Sequence, residues 1–532
     1  MKPDEPGHVS YRRSFVTRHQ VTGWRFVMRR TASGIALHDT RMLVEPLRTQ
    51  SRAVLTGVLV LVTGLAGCFV FSLLRPSGAA GNSPVLADRS TAALYVRVGE
   101  KLHPVLNLTS ARLIVGRPVN PTTVKSSELD KFARGNLIGI PGAPERMVQN
   151  TSSDANWTVC DSVDVSAAHA EHSTGVTVIA GIPDSSSVSH GVRAAELESQ
   201  QAVLAHHADG AGASTWLLWG GRRSRIDLAD HAVTSALGLD VHDRVVPRPI
   251  AAGLFNAIPE GLPLTAPAIP EAGNPASFAV PAPIGAVVVA HGLDSTVNNG
   301  VLYYAVLPDG LQPITPVLAA ILRNTNSYGL AQPPQLGADE VAKMPVSRGL
   351  DLTRYPAQRV SVLASNEAPV TCAYWRKPAK AAASSLTLLA GSVLPVSEST
   401  QAVELVGGGT DSESGTATRV VLAPGTGYFS QTVVGQTASA GGSLFWIADT
   451  GVRYGIDTEA PEGNLLTSGA ATGKTVAALG LRPPPVPIPW SILVLFAPGP
   501  TLSRADALLA HDGLPPDAQP GHPVAAYGGE DR

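Results

Sequence analysis

The 532-residue sequence predicts an α+β protein. One N-terminal transmembrane helix leads into an elongated ectodomain of four β-hairpin/helix repeats around a central β-rich core, with pseudo-twofold symmetry. Three observations predict this. An uncharged apolar run occupies 53–74. Four later segments repeat one pattern of aromatic strand, glycine turn, second strand and helical run. Two short Trp/Cys strands fall between the outer pairs of those segments. Composition agrees. Hydrophobic residues make up 44%, enough for a real core, and charged residues only 15%, against about 25% in an average soluble chain. The net charge of −2 excludes a chain that binds nucleic acid through bulk charge. Three cysteines exclude a disulfide-knot scaffold and a four-cysteine zinc ribbon.

Residues 1–52 form a basic arm. They hold ten Lys/Arg against four Asp/Glu, a net of +6, which leaves −8 for the rest of the chain. Val21, Trp24, Val27 and Met28 recur at helical spacing, with Arg25, Arg29 and Arg30 on other faces. Such a helix lies on an anionic leaflet, docks on a partner protein, or holds the following span in register. We expect docking through Val21, Trp24, Arg25, Phe26, Arg29 and Arg30, because Trp24 and Phe26 are costly to leave in water. The run at 53–74, AVLTGVLVLVTGLAGCFVFSLL, is long enough for a hydrocarbon core that takes about 20 helical residues. A secretory signal is shorter and nearer the N-terminus. Arginines crowd the N-terminal side, so the positive-inside rule sets the arm in the cytoplasm and the following residues outside.

A linker at 75–92 precedes the repeats. Repeat 1 spans 93–144, repeat 2 214–264, repeat 3 300–345 and repeat 4 442–510. Their opening strands read LYVRV, WLLW, LYYAVL and LFWI, and their turns carry Gly99, Gly220-Gly221, Gly310 and Gly451. Core segments 145–213 and 346–441 lie in the two long gaps. A Pro-rich connector at 265–299 joins two halves, each repeat–core–repeat. The stretch 164–212, rich in Ala, Ser and His, reads as loops, and 511–532 as a disordered tail. Cys160 and Cys372 fall outside the membrane, each with a Trp three residues away. An oxidising compartment favours their pairing; two buried free thiols are the alternative.

Chemistry is sparse. The sequence has neither a G-x-S-x-G elbow nor an H-E-x-x-H helix, and we expect no catalytic residues and no metal site. His169, His172, His206 and His207 read as solvated loop histidines. Asn107-Leu-Thr109 matches a glycosylation sequon. The segment 468–475, SGAATGKT, misses a phosphate loop because Ser468 stands where its first glycine belongs. Gly473, Lys474 and Thr475 are therefore a weak nucleotide candidate, and we read them as the start of the repeat-4 helix. ATP enters as a cofactor only on that alternative reading.

Several strings carry a resemblance: TRHQVTGWRFVMRR and LHDTRM in the arm, ALYVRVGEKLHPVLNLTSARLIVG, GIPGAPERM, SALGLD, VLPDGLQPITPVLAAILRNTNSYG and GPTLSRADALLA. From Tyr11 to His511 the chain resembles the EccB family, the single-span membrane component of mycobacterial type VII (ESX) secretion systems. Among the branches of that family it is most similar to the one linked with iron and zinc acquisition. The resemblance implies a disulfide between Cys160 and Cys372. It also implies an inner-membrane complex with EccC, EccD, EccE and other EccB copies, with the MycP protease nearby and the arm packed on EccC and EccD. Nucleic acid is not an expected partner. Some members are labelled ATPases, yet the motor of such complexes is expected in EccC. The leading expectation is a structural subunit supporting export of small effector proteins. An ATP-hydrolysing component and a cell-envelope binding module are the alternatives.

Overall fold

The computed structural model describes residues 17–38, 46–74, 80–164, 171–209, 212–239, 246–292, 300–405, 415–434, 442–457 and 468–511. It divides into two compact units, Met1–Ala79 and Ala80–Arg532.

The first unit is helical. The helix Arg18–Leu37 opens with a capping box. The Thr17 hydroxyl accepts from the Gln20 amide, and the Gln20 side chain accepts from the Thr17 amide. The helix Pro46–Leu74 contains a 22-residue apolar stretch, Gln50–Phe71, with mean hydropathy 2.4. Inside it the Thr56 and Thr63 hydroxyls donate to the carbonyls of Arg52 and Leu59. That pairing lets polar side chains enter an apolar span without unmet hydrogen bonds.

Among its described residues the second unit holds four small sheets and one large one. The first small sheet runs Thr122–Val124, Val85–Asp88, Leu94–Val98, Lys101–Val105, Ala133–Arg134. The second runs Arg222–Arg225, Gly212–Trp219, Gln201–Asp209, Arg248–Pro249, and the third Gly310–Ile314, Val301–Leu307, Val287–His291, Gln335–Leu336. The fourth runs Val486–Pro489, Tyr428–Val433, Leu444–Ile447, Val452–Ile456, Ala497–Pro498. All four share one topology. An antiparallel three-strand meander gains a parallel strand on its first member, after a helix that follows the hairpin. Those helices are Leu108–Val115, His231–Leu237, Pro316–Thr325 and Ser468–Leu479. Local chemistry starts them: Asn107, Asp230 and Thr315 cap the first three through their side chains, and Pro316 takes the first turn of the third. Gly99, Gly221 and Gly451 take positive φ in the hairpin turns, where a side chain would be strained.

Each small sheet begins one strand before the hairpin that the sequence repeats reveal. Those strands, Val85–Asp88, Gln201–Asp209, Val287–His291 and Tyr428–Val433, lie in stretches read as linker, core or connector. Gln201–Asp209 and His172–Ala180 also replace the loops expected across 164–212.

The large sheet has seven strands in the order Val403–Glu404, Arg419–Val421, His172–Ala180, Ala155–Asp164, Val370–Lys377, Ser385–Gly391, Ala195–Glu196. Its middle is two hairpins laid side by side, one from each half of the chain. Each half also sends a strand to flank the other half's hairpin. The repeats pair through their helices across the halves. Leu113 and Ile114 of the first share a core with Trp446, Val476 and Leu479 of the fourth. Val233 and Leu237 of the second share one with Leu318 and Leu322 of the third.

Candidate functional site: a disulfide-bonded centre and exposed assembly faces

The strands Ala155–Asp164 and Val370–Lys377 run antiparallel, with Cys160 directly opposite Cys372 and Trp157 directly opposite Trp375. Direct opposition brings side chains on one sheet face into contact. The two Cα atoms stand 4.0 Å apart and the sulfurs are bonded, joining positions 212 residues apart. Trp157 faces the largest core. Its indole N–H donates to the Pro487 carbonyl at 3.0 Å, and its ring meets Tyr428 and Phe496 edge-on at 5.2 and 6.2 Å. Central and fourth sheets thus meet on one buried tryptophan.

Asp161, beside the disulfide, is buried. The Ser173 hydroxyl and the Ala251 amide donate to its two carboxylate oxygens at 2.5 and 2.7 Å. Burial pushes its carboxyl up to about 6, while those donors and Arg248 oppose the rise. The Arg248 guanidinium is buried too and pulled down to about 10. It donates to the carbonyls of Ala368 and Leu363 and to the Thr371 hydroxyl. Arg248 therefore fastens the second sheet to the strand carrying Cys372, and Asp161 fastens Ala251 to the strand carrying Cys160.

The residues singled out for chemistry are dispersed. Lys474 lies inside the helix Ser468–Leu479 with its neighbour Gly473, both exposed, and Thr475 is buried. The helix starts at Ser468, not at Gly473 as the sequence reading places it. A phosphate loop needs this Gly-Lys-Thr where a loop meets a helix, so that free amides face the phosphates. Here helical hydrogen bonds occupy that backbone. His206 contacts the Pro247 carbonyl through Nδ1, and His207 stacks on Phe255 at 4.0 Å; both sit in a strand rather than a solvated loop. His169 lies outside the described residues. Among the described residues no three His, Cys, Asp or Glu side chains gather as a metal site. Asn107 is closed to modification, since its side chain is buried, caps Ser110 and donates to the Ile140 carbonyl.

In the first unit the arm helix shows Val21, Trp24, Val27 and Met28 exposed along one side, with Arg25, Arg29 and Arg30 also exposed and Phe26 half-buried. Such a stripe has the spacing of a helix that seats on another surface. Sequence reasoning did not reach the exposed Trp490 at the end of the fourth sheet. Its signal was an isolated tryptophan in IPWSIL, between a strand and a helix.

Among the described residues one helix is long and apolar enough to cross a membrane, and a disulfide-bonded assembly of sheets follows it in the chain. A family profile described as "Type VII secretion system ESX-1, transport TM domain B" matches residues 13–516. The "ESX-3 secretion system ATPase EccB3" of Mycobacterium tuberculosis (strain ATCC 25618 / H37Rv) is 69% identical over 530 residues, covering 99% of this chain and 95% of that protein. The protein of the same name from Mycolicibacterium smegmatis is 61% identical over 514 residues, covering 96% and 94%. A chain in the "Structure of an intact ESX-5 inner membrane complex" superposes with TM-score 0.72 at 36% identity, over 97% of this chain and 99% of that one. A chain described as "EccB3 dimer from the ESX-3 core complex" superposes with TM-score 0.70 at 55% identity, over 80% and 100%. The chain belongs to the EccB family and is a membrane subunit of a type VII secretion system, of the ESX-3 branch.

Proposed function

We propose that this chain is the structural EccB component of an ESX-3-type inner-membrane complex. It is a non-catalytic subunit that holds cytoplasmic motor components on one side and a periplasmic scaffold on the other, and so supports export of small effector proteins. The arm at 1–52 is cytoplasmic and docks through Val21, Trp24, Arg25, Phe26, Arg29 and Arg30. The domain after the span is periplasmic. Partners are EccC, EccD, EccE and a second copy of this chain, with the MycP protease close by. The observation that carries the reading is the match, along nearly its whole length, to a chain solved within an ESX inner-membrane complex. The exposed apolar stripe of the arm beside its arginines supports the docking role, and the arginine excess before the span supports the orientation.

The relatives carry the word ATPase in their names. The position of Gly473, Lys474 and Thr475 inside a helix does not favour nucleotide binding here, and hydrolysis is expected on another chain. The test is gentle detergent extraction of a tagged copy, followed by a native gel and mass spectrometry. A large species containing EccC, EccD and EccE supports the reading. A free monomer or dimer beside an otherwise intact complex refutes it.

A further inference from the structure

The first small sheet packs Val85, Val96 and Val105 on one face against its own helix. Its other face is thinly covered. Pairing places Leu86 opposite Tyr95, Arg97 opposite Leu102, and Leu102 opposite Arg134, so these side chains share that second face. Leu86, Leu102, Val124 and Leu129 form a small buried base there, with Tyr95 and Phe132 half-buried against it. The Arg97 guanidinium lies over the Phe132 ring at 4.7 Å, and that of Arg134 over the Tyr95 ring at 4.9 Å. Arg134 and the neighbouring Lys131 are exposed. Two aromatic rings are thus framed by three cations.

This face also receives the chain as it arrives from the apolar helix. Ala80 belongs to the buried base, and the Arg97 guanidinium donates to the Gly81 carbonyl at 3.3 Å. Ala80 follows Leu74, the last residue of that helix, by six residues, a tether that reaches at most about 20 Å. Charge is distributed to match. Residues 80–146 hold nine Lys/Arg against five Asp/Glu, a net of +4, whereas 147–532 hold twenty against thirty-three, a net of −13. The basic part of an acidic domain is the part next in the chain to the span. Asp130 and Glu128 pair with Arg134 and Lys131 at 3.1 and 2.6 Å; exposed pairs of this kind contribute little and exchange readily for another anion. Arg97 has no carboxylate partner among the described residues, and its Nε is buried without a hydrogen bond.

Half-buried aromatic rings beside long cationic side chains suit the boundary between membrane and water. There the rings sit at headgroup depth, and the cationic heads reach phosphates while their stems lie on apolar surface. We propose that the face carrying Tyr95, Arg97, Lys131, Phe132 and Arg134 rests on anionic phospholipid headgroups of the leaflet into which the span opens. The inference rests on reading 53–74 as a membrane span, to which it adds a second lipid contact. Two observations fix the occupant as lipid. The tether is short and enters on this face, and attraction between exposed charges is lost beyond a Debye length of about 8–10 Å, so a cationic surface acts on headgroups only if it is held beside them. The sign is also right, since juxtamembrane cations are drawn to anionic lipid and the excess of cations is confined to this part of the domain. A second contact of this kind stops the domain from swinging freely on its tether.

The test uses the full chain in nanodiscs of phosphatidylcholine, alone or mixed with phosphatidylglycerol, and in parallel in its native membrane. A benzophenone amino acid in place of Phe132 should yield, on illumination, the chain joined to phosphatidylglycerol, enriched well above that lipid's share of the mixture. The same amino acid at Val346, an exposed position beside the third sheet, should yield no lipid adduct. Arg134→Glu should lower the Phe132-site adduct about fivefold or more, and Arg134→Lys should leave it as it was, with thermal unfolding unchanged in both. If the unaltered chain does not enter the nanodiscs, the membrane-spanning reading itself fails and the face with it. If the chain enters, three results overturn the face: adducts to protein in place of lipid in the native membrane, an equal yield of adduct in phosphatidylcholine alone, or a yield indifferent to Arg134→Glu.

Discussion

Removing the Cys160–Cys372 bond should cost the second unit several kcal/mol without changing its fold. The bond joins residues 212 apart in sequence. In the loop-entropy treatment, closing so long a loop restricts the unfolded chain by about 5 kcal/mol, and native bridges deliver about 2–4 in typical cases. The rest of the ladder does not depend on it, since the paired strands match from Val370 opposite Ser162 to Lys377 opposite Ala155. Cys160→Ala with Cys372→Ala should therefore keep the native circular dichroism while lowering unfolding free energy by about 3–5 kcal/mol. Urea titration followed by tryptophan fluorescence reads this, with Trp157 and Trp375 close to the lesion. A loss below about 1 kcal/mol would refute the view that this bond joins the two halves. Loss of the native spectrum would show instead that the strands need the bond in order to pair.

Three further outcomes follow from the same centre and from the nucleotide candidate. Trp157→Ala removes a buried ring and orphans the Pro487 carbonyl, so stability measured in urea should fall by about 3–5 kcal/mol. Asp161 has a folded-state pKa raised to about 6 from 3.8, so the folded state binds its proton more tightly. Its contribution grows as pH falls through 6 towards 4, by about 1 kcal/mol between pH 7 and pH 5. Asp161→Asn should abolish that component of a stability–pH profile, and an unchanged profile would contradict the assignment. Lys474→Ala should leave phosphate release by the purified complex unchanged, whereas loss of turnover would restore the nucleotide reading.

Much of the architecture was legible because the residues that make it are local. The hairpins announce themselves through aromatic strands and positive-φ turns such as Gly99 and Gly451, and the helices through Asp230 or Thr315 with Pro316. What was not legible depends on pairing between distant segments. Gln201–Asp209 has Ala202 and Leu204 in one core and Val203 and Ala205 in another, so it lacks the apolar–polar alternation of a one-faced strand. Its two histidines read as polar, yet one rests on a carbonyl and the other on Phe255. The exposed apolar stripe of the arm, Val21, Trp24, Val27 and Met28, was legible because a helix fixes which side chains share a side without any tertiary contact.

Export tests the central claim most directly. In a mycobacterial strain lacking its own ESX-3 EccB, this chain should restore secretion of the small ESX-3 effector proteins, measured by immunoblot of the culture filtrate. The same chain with Trp24→Ala and Phe26→Ala should be made and inserted but should restore little. Full secretion without any EccB, or full rescue by the arm variant, would contradict the account of a subunit that binds its machine through the arm.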